Sequence, residues 1–77
     1  GMPRQLLLLP EVVELGEAAA EALLRRAPEL APFGFSMEAH GPGSIVVREV
    51  PGLLKGADVG ALVRQMAEEM EEWGEAY

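Results

Sequence analysis

Four consecutive leucines running into a proline, Leu6 to Pro10 in RQLLLLPEVVEL, restrict what this chain can build. The run is too short to cross a bilayer, which takes about 20 apolar residues. It also makes a poor secretory signal: only Arg4 precedes it, and Glu11 and Glu14 follow where a small-residue cleavage site would stand. Read as a strand over 6–15, it puts Leu7, Leu9, Val13 and Leu15 on one face and Leu6, Leu8, Val12 and Glu14 on the other. Pro10 has no N–H to give to a ladder, so the strand belongs at a sheet edge or a bulge. Leucine on both faces of its first half is more apolar surface than one sheet covers, and an edge of that kind invites pairing with another chain. The leucines are therefore expected to serve both a core and a partner.

The remaining segments each carry one periodicity. EAAAEALLRRA predicts a helix over 17–27, with glutamates toward its start and Arg25 and Arg26 toward its end, as the helix dipole favours. Its buried stripe is Ala20, Leu23, Leu24 and Ala27, and Pro28 ends or kinks it. FSMEAHGPGSIVVREVP reads as a hairpin. Phe35, Met37 and Ala39 alternate with Ser36, Glu38 and His40, and Gly41-Pro42-Gly43 supplies a turn that needs positive φ. In the return strand Ile45 and Val47 face away from Val46, Arg48 and Val50. A last helix is predicted over 59–73, capped by Asp58, with Val59, Leu62, Val63, Met66, Met70 and Trp73 on one apolar face. The order β-α-β-β-α predicts a two-layer α+β fold, a three-stranded sheet with two helices, as a single domain over 1–77. Gly1 reads as an expression scar, and the chain is expected to be a piece of something longer.

Composition narrows the function classes. The formal net charge is −7, from 13 acidic and 6 basic residues, and the only adjacent bases are Arg25 and Arg26. Binding nucleic acid or an anionic membrane surface relies on clustered Lys and Arg, so neither is expected of this chain directly. With no cysteine there is neither a disulfide nor a thiolate ligand, as suits a cytoplasmic protein.

Candidate chemistry is thin. Glu68, Glu71, Glu72 and Glu75 crowd one helix face, and a metal would use them only if other ligands converged there. Their plain reading is a solvated acidic face. His40 is the single histidine and has no orienting partner in view, and neither Ser36 nor Ser44 stands in a strained strand-to-helix turn. Gly41 to Ser44 lacks the lysine and following helix of a phosphate loop. Met66, Met70 and Trp73 could form an adaptable binding stripe, but a domain this small needs them in its core. No catalytic residue, metal or cofactor is expected. What is left is Gln5 to Pro10, which fits the linear pattern Q-x-x-[L/I]-x-P. Such a segment docks in extended form, its glutamine amide hydrogen-bonding while the apolar side chain fills a pocket. The competing reading is a plain edge strand in a small α+β adaptor with an unrelated protein partner.

Taken in order, QLLLLPEVVEL, Phe33-Gly34-Phe35 at the hairpin entry, Val47-Arg48-Glu49-Val50-Pro51 at its exit and the acidic final helix resemble the MutL family of DNA mismatch repair proteins. The similarity is to the regulatory (internal) subdomain of the C-terminal region, covers nearly the whole chain, and has an alphaproteobacterial flavour. It implies that Gln5, Leu8 and Pro10 contact the replicative sliding clamp, the β ring, with Leu7 and Leu9 in support. Leu7 and Leu9 would face the core and Leu8 the partner. Other mismatch repair proteins and the rest of the C-terminal region are further implied partners. The family's endonuclease motif, D-Q-H-A-x2-E-x4-E, is not in this sequence, nor is its N-terminal ATPase. The resemblance thus implies a fragment that neither nicks DNA nor hydrolyses ATP, and does not dimerise through the family's usual interface. Any ATPase or metal-dependent endonuclease of an intact protein would lie outside it.

Overall fold

In the computed structural model, which describes residues 4–54 and 56–76 and no side chain at 4, 5, 7, 8 or 74–76, the elements follow the expected order. They are β1 (Arg4–Glu14), α1 (Glu17–Leu30), β2 (Ser36–Ala39), β3 (Ser44–Pro51) and α2 (Val59–Ala76). Short 3-10 turns at Ala31–Phe33 and Gly52–Leu54 close α1 and follow β3. The sheet is antiparallel in the order β1-β3-β2, so β3 is central and β1 lies at an edge, as Pro10 requires. Both helices cover one face: α1 lies on β2 and against α2, and α2 on β1.

The core lies between the two layers. Val13, Leu23, Ile45, Val47, Val50 and Val63 are its largest fully buried side chains. Ala19, Ala20 and Ala67 are buried in it where the helices come close, and Leu24, Ala27, Met66 and Met70 seal its margin. On the other face of the sheet Val46 stands between its register partners Val12 and Glu38. Ser44 Oγ donates to Glu14 Oε1 across the same face at 3.0 Å.

Each helix departs from its expected length for a local reason. Helix α1 runs past Pro28 to Leu30, because proline near a helix end forfeits only one backbone bond, and Ala31 N–H still caps Ala27. Helix α2 is capped as expected, with Asp58 Oδ1 accepting from Ala61 N–H at 3.1 Å. It runs beyond Trp73 to Ala76. Trp73, expected on the buried stripe, is 61% exposed. Met70 is the last residue of α2 found packed against the core among the described residues.

The hairpin also differs from strict alternation. Ser36 pairs with Glu49 but Met37 with Val47, which leaves Arg48 without a partner in β2. That slip moves Val50 to the same side as Ile45 and Val47, whereas alternation alone predicts the opposite face. Ala39, expected beside Met37, is exposed at the end of the short strand. The turn is more than a reversal. Gly43 carbonyl accepts from the N–H groups of Leu15 and Gly16 at 2.7 and 2.9 Å, tying the hairpin to the start of α1. Gly43 has φ +78°, and a Cβ there would come within 3.2 Å of the Gly16 backbone.

Candidate partner-docking edge

The Gln5–Pro10 segment lies on the outer edge of the sheet, where β1 loses its register. Arg4, Gln5 and Leu6 pair with Pro51, Val50 and Glu49, and pairing resumes only at Glu11 with Val47. Residues 7–10 therefore stand opposite Arg48 alone. A strand with more residues than its partner must bow outward, and the period of two is broken across the bow. Pro10 sits at its end, where a missing N–H costs no ladder bond.

The bow decides which leucines meet solvent. Leu9, expected to face the core with Leu7, is 85% exposed, and strict alternation fails for it because the extra residues turn the segment out of the sheet. Leu6 is 63% exposed, Val12 is 46% exposed, and Pro10 is exposed between them. Val13, in register again, is 1% exposed. The side chains of Gln5, Leu7 and Leu8 lie outside the described residues, so of the five expected contact residues only Leu9 and Pro10 have side chains placed here, both at the surface.

Arg48, part of the Val47–Pro51 run that carries the family resemblance, is given no place in the docking edge by the sequence. Both neighbouring strands slip in register at this position, and its Nε donates to Glu38 Oε1 at 2.5 Å. The result is a charged pair on the open face beside the bowed leucine segment. The alternation of VVREV does not mark the slip at Arg48, because it appears only once β3 is aligned with its neighbouring strands.

Other candidate residues stay dispersed. His40 is exposed and serves the turn through its backbone, with N–H donating to Ser44 carbonyl at 2.9 Å. Glu68 and Glu72 are exposed and Glu71 is half-buried, while the Glu75 side chain lies outside the described residues. Among the described residues no His, Cys, Asp and Glu side chains group to hold a metal, and no helix is long and apolar enough to cross a membrane. Arg26, Met66, Glu69, Met70 and Trp73 line a shallow groove of about 350 Å³ between the helices.

The whole chain, residues 1–77, matches the family model described as the MutL C terminal dimerisation domain. It is 55% identical over 76 residues to DNA mismatch repair protein MutL of Bradyrhizobium sp. (strain ORS 278), covering 99% of this chain and 12% of that protein. The MutL of Rhodopseudomonas palustris (strain BisB18) is also 55% identical over 76 residues, covering 99% of this chain and 13% of that protein. For MutL of Nitrobacter hamburgensis the identity is 53% with the same shares. The chain thus spans about an eighth of the length of the curated relatives it matches. A match along the full chain, on a fold with the expected elements in the expected order, places the chain in the MutL C-terminal dimerisation domain family.

Proposed function

We propose that this chain is a non-catalytic regulatory and protein-interaction subdomain of a MutL-type mismatch repair protein, and that it docks on the replicative sliding clamp. Gln5, Leu8 and Pro10 make the contact. Leu9, and Leu7 with it, adds apolar surface. The observation that carries this reading is the bow at residues 7–10. It takes residues 7–10 of the motif, Leu8 and Pro10 among them, out of the sheet ladder at an exposed edge while Gln5 stays paired, so the segment can enter a pocket on another protein without unfolding the sheet. Leu9 at 85% and Leu6 at 63% exposure add apolar surface that a partner could cover. Such a role belongs in the cytoplasm, where replication and repair partners meet. The ATPase and any endonuclease of the intact protein lie elsewhere in it, as do its usual dimer contacts. Other mismatch repair proteins and the rest of the C-terminal region are its remaining partners.

The test is titration of the chain with a purified bacterial sliding clamp. A linear contact of this size is expected to bind with a Kd on the order of micromolar, about −8 kcal/mol. The double variant Gln5→Ala/Pro10→Ala and the single variant Leu8→Ala should abolish the signal while circular dichroism stays unchanged. Absence of binding by the unmodified chain at high concentration, or undiminished binding by the double variant, overturns the proposal.

A further inference from the structure

Glu11 follows Pro10 directly, and its half-buried side chain leaves the sheet for the first turn of α2. There Gly60 is buried, and a Cβ built on it would stand 2.5 Å from Glu11 Oε2, with Asp58 Oδ1 3.7 Å from the same point. Glycine costs a helix about 1 kcal/mol relative to alanine, so propensity gives no reason for it here. The absence of a side chain is what admits the carboxylate. The first turn of a helix presents unpaired N–H groups and the positive end of its dipole, an environment suited to an anion. Asp58 satisfies the N–H of Ala61. The usual second acid, a Glu or Gln at the third helical position, is absent because that position is Ala61 itself. The carboxylate arrives from β1 instead.

We propose that Glu11 is a positioning residue for the docking segment: its carboxylate, seated against Gly60 at the start of α2, anchors the downstream end of the bowed residues 7–10. This rests on the reading of Gln5–Pro10 as the partner contact. The upstream end is held by the pairing of Gln5 with Val50 and Leu6 with Glu49. Downstream, Glu11 is the first residue back in register, and its side chain adds a link from the edge strand to the helix layer. A bow tied at both ends has less freedom to lose when a partner binds, and preorganisation of that kind strengthens binding without adding a contact.

A double-mutant cycle on the chain tests this with two independent readouts. In urea unfolding, Gly60→Ala in a Glu11→Ala background should raise the folding equilibrium constant about fivefold, the ordinary gain of alanine over glycine in a helix. With Glu11 present the same change should give no gain or a loss, because the methyl displaces the carboxylate. Equal gains in both backgrounds overturn the anchor, whatever the chain binds. In clamp titration, Gly60→Ala and Glu11→Ala should each weaken binding by roughly three- to tenfold, the scale of re-ordering a few groups. The pair together should be no worse than either alone, and Glu11→Gln, which keeps the shape and loses the charge, should fall between. Unchanged affinity in these variants, while Gln5→Ala/Pro10→Ala still abolishes binding, overturns the positioning role and leaves the clamp reading standing. If the unmodified chain does not bind the clamp, the clamp reading fails and the positioning role with it, and the urea cycle alone decides whether Glu11 anchors the bow.

Discussion

Leu23 and Leu53 are chemically identical and energetically far apart. Leu23 is 0% exposed at the centre of the core, whereas Leu53 is 85% exposed in the turn after β3. Truncating the buried one removes its transfer free energy and leaves a cavity, so Leu23→Ala should cost about 2–5 kcal/mol. Leu53→Ala should stay within about 0.5 kcal/mol. A domain of this size has about 4–12 kcal/mol in total, so urea denaturation should show Leu23→Ala unfolding at far lower denaturant and Leu53→Ala overlaying the parent. The hydrophobicity of these leucines was plain in the sequence, but their burial was not. Leu23 sits on a helical stripe that periodicity finds. Leu9 sits in a run where alternation assigns it to the core, and it lies at the surface because the residues beside it outnumber their partners in β3.

Among the elements, α2 shows what is local and what is not. Its start is written in its own residues: Asp58 precedes the first helical turn and accepts the N–H of Ala61. Asp58→Ala should therefore cost about 1 kcal/mol, read as a lower midpoint in thermal or urea unfolding. Its end follows the same periodicity, but periodicity does not bury the residue found there. Trp73 is the single tryptophan of the chain and is 61% exposed. Its emission should lie near that of indole in water and be strongly quenched by acrylamide. Trp73→Ala should cost about 1 kcal/mol or less, well below the roughly 3–5 kcal/mol of a buried tryptophan. Blue-shifted emission resistant to quenching would contradict the placement of this side chain. Helix α1 gives the complementary case, since Ala20 and Leu23 are buried as its stripe predicts, and Pro28 only forecasts that the end is near.

At the scale of the whole molecule, one strand organises the fold. β3 carries ladder partners on both sides, and its Ile45 and Val47 are fully buried between the layers. Hydrogen exchange should accordingly be slowest at the amides of 45–47 and faster by orders of magnitude at residues 7–9, where the ladder to β3 is interrupted. Protection at 7–9 equal to that of 45–47 would mean that the bow is closed in solution. Helix periodicity, the GPG turn and a proline that rules out a central strand are short-range features, carried by the φ preferences and side-chain spacing of neighbouring residues. They were enough to name five elements, their order, the two-layer α+β class and the edge position of the leucine strand. Register is different. Where β1 slips against β3 opposite Arg48 depends on pairing residues more than 30 positions apart, Leu6 with Glu49 and Glu11 with Val47, while β2 slips within a hairpin, and a slip of one residue exchanges the two faces of a strand. The exposure of Leu9 and the seat of Glu11 on Gly60 follow from contacts between distant parts of the chain, and the inward turn of Val50 and the Arg48–Glu38 pair from a slip between hairpin strands, none of which the side-chain spacing along a single strand contains.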